Sequence, residues 1–470
     1  NLNKVEQQNL APDAARVIGR SSRLPLGATG VNAGIGIGEV VDNTWDDWQN
    51  YMHNGRYVTS GVDATGAGVG VEVHFVYEEL SSIDTATAPN YRKSGYNFYN
   101  ASNAPGTNWP EGQEAGCQLE ALHEHGGGSG VVIDLMPDGR PIFANRTTMR
   151  SEHTGEDDST TFLDNQIFWQ QDKSAFNRCY WDSTANTSHI LPSQYQTGWV
   201  SEDPSIADEV GLSNTPIVET QIIGTDTIIH LLLLEQGYSN GVTGYPDLAY
   251  GWHTISYFRK AGSATPGTWS GPTVIDTNSW YGVTMAASKI APDVAIVTAD
   301  LSPLGMLNSN DDDKDIYYTT SSDGGLNWSL PLTNLTSFPR NEPSWTARDE
   351  ICALYDSRGY LHITFVAQPA PADPYRGGYH WPGFKRDLLH WTDAIAGPYD
   401  GGTLSTVQTA HYDINPEFCS AGGYNAGFIA WHSLTECDGN LYALYNIWHI
   451  RTLSLGEEDP TSYDDCPETI

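Results

Sequence analysis

The sequence predicts an all-β protein built as one ring of similar sheets, and three observations carry that prediction. The composition favours strands and turns over charge, with 47 glycines, 15 tryptophans and 25 tyrosines against only 17% charged residues. Aromatic strands separated by glycine-rich turns fit such a balance. A short run of β-formers ending in an aromatic recurs as Asn97-Phe98-Tyr99, Ile167-Phe168-Trp169, Ile255-Ser256-Tyr257, Ile316-Tyr317-Tyr318 and Leu389-His390-Trp391, at intervals of 61 to 88 residues. Upstream of these copies stand pairs of alternating apolar stretches around Asp- and Gly-containing turns, the sign of hairpins. Units of that length, repeated, read as four-stranded blades. The expectation is a single six-bladed β-propeller, with seven blades as the alternative, and one closed ring with two tails explains 470 residues without a second domain.

Taken in order, the second unit pairs residues 130–136 with 140–147 around Pro137-Asp138-Gly139. The third pairs 215–223 with 228–234 around Gly224-Thr225-Asp226. The fourth is less regular, with 282–287 and 294–299 separated by Lys289-Ile290-Ala291-Pro292. The fifth pairs 351–355 with 360–366, and the last pairs 428–433 with 440–447 around Glu436-Cys437-Asp438-Gly439. This last unit lacks an outer strand, and an N-terminal strand, from residues 15–20 or 35–41, is expected to complete it and close the ring. Closure removes exposed sheet edges. The ring then occupies 24–455, flanked by an N-terminal arm (1–23) and an acidic C-terminal tail (456–470). Both ends are polar and form no core alone, so each is expected to dock on its own subunit or on a neighbour.

A net charge of −35 with no basic stripe excludes nucleic acid as a partner and disfavours anionic membranes. The longest strongly apolar run, residues 228–234, has strand length, so no segment inserts into a bilayer. The chain starts at Asn1 without methionine and reads as a mature secreted protein, extracellular or on the cell surface. Six cysteines without Cys-x-x-Cys spacing argue against zinc. An even number in an acidic chain suits disulfides, Cys419 with Cys437 first and Cys117 with Cys179 second. Six buried thiols are the other reading.

The segment Ser321-Ser322-Asp323-Gly324-Gly325-Leu326-Asn327-Trp328 follows the strand-like run 315–320. Ser321 and Asp323 can bond amides inside a turn, the glycines supply positive φ, and Trp328 can fold back over the hairpin. This Ser-x-Asp-x-Gly-x-x-Trp pattern, with Ser321, Asp323, Gly325 and Trp328 at its key places, resembles the Asp-box of the sialidase-like (BNR-repeat) β-propellers. An Asp-box stabilises a blade corner and does no chemistry. The stretches 93–99 and 360–365 are similar to secreted propeller proteins of Bacteroidota without an assigned activity. The sialidase Phe-Arg-Ile-Pro-like start motif is missing, and the arginine triad of that family cannot be matched residue by residue. The resemblance therefore implies fold, not sialidase activity.

Loops leading into the innermost strands are expected to crowd the axis, where a propeller most often binds ligands. They place His53, Arg56, His123, His125, Tyr281, Arg340, Glu342, Arg348, Asp349 and Tyr424 there. Such a mixture can move protons on a polysaccharide. A lyase would use arginine against a uronate carboxylate and Tyr or His as the proton carrier. A hydrolase needs two carboxylates facing one bond, and Glu342 with Asp349 is the pair available. Neither set has diagnostic spacing, and large propellers carry such residues on ordinary loops. His123 and His125 share a side of an extended segment, as zinc ligands would, but no third ligand lies nearby. Asn308, Asn310, Asp311, Asp313 and Asp315 form a dense run of oxygen donors suited either to calcium or to plain solvation.

The leading functional expectation is a non-enzymatic extracellular protein that self-associates through its ends. A polysaccharide-active enzyme and a lectin-like module that binds extracellular glycans at the axial face are the alternatives. The only cofactor suggested is calcium.

Overall fold

The computed structural model describes residues 56–62, 71–80, 92–101, 103–104, 108–109, 117–118, 131–137, 139, 141–150, 161–169, 217–236, 253–262, 269–301, 314–338, 345–369, 385–394, 403–411, 429–437, 440–449 and 468–469. Among the described residues all regular structure is β. The first sheet contains β1 (Val58–Val62), β2 (Val71–Leu80), β3 (Arg92–Asn100) and β4 (Cys117–Gln118), side by side in chain order. A three-stranded sheet follows: β5 (Val131–Leu135), β6 (Pro141–Arg150) and β7 (Thr161–Trp169). Then come β8 (Ile217–Ile223), β9 (Asp226–Gln236), β10 (His253–Ala261), β11 (Trp269–Ala287), β12 (Val294–Leu301), β13 (Lys314–Ser321) and β14 (Thr333–Asn334), joined as one seven-stranded sheet. The fourth sheet holds β15 (Trp345–Tyr355), β16 (Leu361–Pro369), β17 (Lys385–Thr392) and β18 (Thr403–His411), and the last holds β19 (Ile429–Cys437), β20 (Asn440–His449) and β21 (Glu468–Thr469). Every pairing is antiparallel between neighbours in sequence.

The seven-stranded sheet is two units sharing one strand. The first half of β11 pairs with β10, from Trp269 against Lys260 to Ser279 against His253. The second half pairs with β12, from Ser279 against Asp300 to Ala287 against Val294. Ser279 is the hand-over point, and the register slips between it and Val283, as a bulge allows a strand to change direction. The chain therefore passes from the border of one sheet to the start of the next without a loop. Counted so, four four-stranded blades and two three-stranded sheets are described.

The first strands of successive sheets touch in chain order, β1 with β5, β5 with β8, β8 with β11, β11 with β15 and β15 with β19. That succession is propeller-like. The core is correspondingly a series of slabs between sheets. Val76, Tyr96 and Phe98 pack on Val132, Ile133 and Phe143 and on Val218 and Ile229. Ile217, Leu232 and Tyr257 face Val283, Met285 and Ile296. Val297 and Ile316 face Ile351, Ile363, Phe365 and Trp391. Each fully buried Ile or Phe among these contributes roughly 1.5–3 kcal/mol.

The expected hairpins are present at the second to sixth units, with turns between β5 and β6, β8 and β9, β11 and β12, β15 and β16, and β19 and β20. The N-terminal strand expected to close the ring, and the arm 1–23, lie outside the described residues. Within the segment 456–470, Glu468 and Thr469 pair with His449 and Trp448, so the end of the chain adds a strand to the last sheet.

Candidate functional site

Among the sequence's axial candidates, Arg56 is the one whose side chain the structure describes, and it sits at the head of β1 in a buried ionic cluster. Its carbonyl accepts the amide of Ile133 at 2.9 Å, which ties it to β5. Its Nη1 donates to Asp134 Oδ1 at 2.8 Å, and Nη2 stands 2.9 Å from Glu219 Oε1. Lys289, in the turn between β11 and β12, donates from Nζ to Asp134 Oδ2 at 3.0 Å and to the Thr220 carbonyl at 2.6 Å. The Thr220 amide adds a third donor to Asp134, at 2.7 Å. Gln221 braces the same turn by donating to the Ser288 and Ala291 carbonyls. The head of β1, the strands β5 and β8 and the β11–β12 turn thus meet through side chains, where the first strands of the described sheets converge.

The two carboxylates are nearly dry, 2% and 3% exposed, whereas Arg56 is 26% and Lys289 52% exposed. Burial alone would raise the Asp134 carboxyl, but Lys289 and Arg56 outweigh it and hold the group below its ordinary value. Burial pushes the Glu219 carboxyl up to about 7, with Arg56 opposing and the Asp134 charge reinforcing the rise. Burial opposes the Arg56 charge too, yet Glu219 and Asp134 keep it firmly protonated. Glu219 Oε2 has no hydrogen-bond donor and lies 3.6 Å from Lys289 Nζ. The free thiol of Cys352, on β15, is in electrostatic reach of Arg56 and Glu219. Two carboxyls driven apart in proton affinity form the kind of pair from which acid–base chemistry is built, though only the cations are open to a ligand.

The turn at Ser321–Trp328 forms a second, outer network. Ser321 Oγ accepts the Gly325 amide at 2.8 Å and donates to Asp323 Oδ1 at 2.8 Å. Asp323 Oδ1 also takes the amides of Leu326 and Asn327, and Oδ2 takes the Asn327 side chain at 2.7 Å. Gly324 and Gly325 have φ of 71° and 82°, where a side chain is strained. The Trp328 ring meets Tyr257 edge-on, centroids 4.8 Å apart. A Cβ on Gly325 would collide with the Tyr257 hydroxyl. Arg259 Nε donates to the Gly324 carbonyl at 2.8 Å, fastening the corner to the preceding unit.

The remaining candidates divide by position. Tyr281 lies within β11 and Arg348 and Asp349 within β15, each at a register slip rather than in a loop. Strands that run through where a loop was expected explain the difference. His53, His123, His125, Arg340, Glu342 and Tyr424 lie outside the described residues, as do Asn308, Asn310, Asp311 and Asp313. Asp315 is on β13, and its carboxylate accepts the Thr336 hydroxyl at 2.7 Å, the Phe338 amide at 2.9 Å and the Asn334 side chain at 3.0 Å. Those donors face it as they would face a structural corner rather than a cation. Cys117 is in β4 and Cys437 ends β19; Cys179 and Cys419, and so both expected bridges, lie outside the described residues.

Sequence reasoning missed Asp134, Glu219 and Lys289. The available signal was a charge inside an apolar strand, Val132-Ile133-Asp134-Leu135 and Ile217-Val218-Glu219. It also missed a repeated buried diagonal between second and third strands. His74 Nδ1 bonds Tyr96 Oη at 2.8 Å, His230 Nδ1 bonds Tyr257 Oη at 2.7 Å, and His362 Nδ1 bonds His390 Nε2 at 2.9 Å. In each the partner stands two residues before the histidine's register mate. Burial lowers His74 and His230 to about 3 and His390 to about 4, so these rings are neutral struts.

No family model and no curated protein matches the sequence. Among solved structures the chain is similar to a Hadza microbial sialidase, with 11% identity and a TM-score of 0.34 over 77% of this chain. It is similar to Trypanosoma rangeli sialidase, with 11% identity and a TM-score of 0.38 over 84% of this chain. A polysaccharide lyase of the PL25 ulvan lyase family is likewise 11% identical, with a TM-score of 0.38, over 81% of this chain and 72% of its own. The chain spans 59% and 53% of the two sialidases' own lengths.

Proposed function

We propose that the chain is a secreted, six-bladed β-propeller that acts without catalysis, as an extracellular or cell-surface subunit that associates with copies of itself. Four four-stranded and two three-stranded units support the count of six. One observation carries the non-catalytic reading: the charges gathered at the axis engage one another. Asp134 alone receives donors from Arg56, Lys289 and Thr220. A network whose cations are engaged from within braces inner strands and leaves little donor capacity for a substrate. Surface association is the use left to an acidic chain with a polar N-terminal arm, and an arm that adds a strand to a neighbour gains backbone hydrogen bonds. Incubation with a panel of neutral and acidic glycans should release no new reducing ends and no unsaturated products. Deleting residues 1–23 should abolish assembly by light scattering; an unchanged oligomer overturns the assembly arm of this reading. Calcium on residues 308–313 belongs to the same proposal, and a chelator should then lower Tm.

A second reading has its own support. Glu219 keeps one oxygen without a donor, and its carboxyl is pushed up to about 7, the protonation a general acid needs near neutrality. Under that reading the protein is a glycoside hydrolase or polysaccharide lyase, or a lectin-like module, working at the axial face. Glycan turnover that Glu219→Gln abolishes would establish the enzyme; array binding without turnover would establish the module.

A further inference from the structure

The axial cluster is unevenly satisfied. Asp134 has four donor atoms at hydrogen-bond distance, two of them on cations and two on Thr220. Glu219 has Arg56 at 2.9 Å on Oε1, while Oε2 has no hydrogen-bond donor and only a looser ion pair, 3.6 Å, with Lys289. An ionised carboxylate with a bare oxygen at 3% exposure is costly, and a neutral carboxyl there is not. Lys289 is the movable member. It is half exposed, on a turn, and already divided between Asp134 and the Thr220 carbonyl.

We infer that Glu219 is a proton-operated latch at the axis, neutral with the ring tight and, when ionised, drawing Lys289 away from Asp134 and Thr220. The groups that face it come from every neighbouring strand: Arg56 at the head of β1, Asp134 on β5, His230 opposite it on β9, Lys289 in the β11–β12 turn and Cys352 on β15. His230 is a neutral ring bonded to Tyr257, beside Arg259, so it holds no competing charge. Cys352 is kept as a thiol by burial. The proton comes from and returns to solvent, and no other group need change state.

The direction with pH follows. The folded chain holds this proton to about 7, whereas an ordinary glutamate releases it near 4.5. Stability from this group is full below 4.5, declines as pH rises between those values, and is lost above the higher one. Wild-type Tm should therefore drop between pH 5 and pH 8 by about 2–4 °C, and Glu219→Gln should remove the drop. Infrared spectra should show a protonated-carboxyl C=O stretch at pH 5 that fades toward pH 8 and is missing in Glu219→Gln. Should that variant not fold, Lys289→Met tests the same point, because removing the second cation moves the fading of the band to higher pH. A spectrum without that band, a band without a Tm change, or an unmoved band in Lys289→Met each overturns the latch.

Discussion

The corner at Ser321–Trp328 and the cluster at Arg56–Asp134–Glu219–Lys289 solve one problem, placing carboxylates among packed β-sheets, in opposite ways. At the corner Asp323 is answered by residues within four positions of it and remains open to water. Hydrogen bonds from Asn327 and Ser321 hold its carboxyl down at about 2. At the axis the partners come from 78 and 155 residues away, and water is excluded. There one carboxyl falls and the other rises to about 7. Local partners fix a shape. Distant partners fix the relation between sheets, and their failure is felt by all of them.

That contrast makes the axis the costlier place to damage. Arg56→Ala leaves the two dry carboxyl groups of Asp134 and Glu219 to Lys289 alone among the described cations and should destabilise by about 3–5 kcal/mol in denaturant titration, with greater proton uptake on folding at neutral pH than wild type. An effect as small as that of a surface pair would erase the distinction. Next comes Gly325→Ala, which forces a side chain onto the Tyr257 hydroxyl at positive φ and should cost about 1–3 kcal/mol in the same titration. Asp323→Ala should cost only about 1 kcal/mol, since water replaces its bonds. The smallest effect is that of acid on the corner. Asp323 titrates lower in the folded chain than its ordinary 3.8, so it stabilises above that pH and the contribution is lost as pH falls toward 2. Being exposed, it is worth a few tenths of a kcal/mol after screening, read as the difference between wild type and Asp323→Asn.

The same contrast explains what the sequence made legible. Hairpins are local, so the turn at Gly224-Thr225 between β8 and β9 and the one at Asp356–Gly359 announce themselves by residue type and alternation. The bonds of Ser321 and Asp323 likewise span no more than four residues. β11 was harder: alternation breaks across Asn278-Ser279-Trp280-Tyr281, and a bulge in a continuous strand looks, in sequence, like a loop. That is why Tyr281, Arg348 and Asp349 read as loop residues. The axial partners were out of reach. A lone aspartate in Val132-Ile133-Asp134 signals an inward charge, but nothing in its neighbourhood points to Lys289.

β11 also has a mechanical consequence. One uninterrupted stretch from Trp269 to Ala287 is hydrogen-bonded to β10 along its first half and to β12 along its second, so two neighbouring sectors share a spar with no joint. Pulled apart from its ends, the protein should yield elsewhere first. A fragment cut inside that stretch would strip both neighbours of a border, which makes the third and fourth sectors inseparable cargo in any truncation or permutation of the chain.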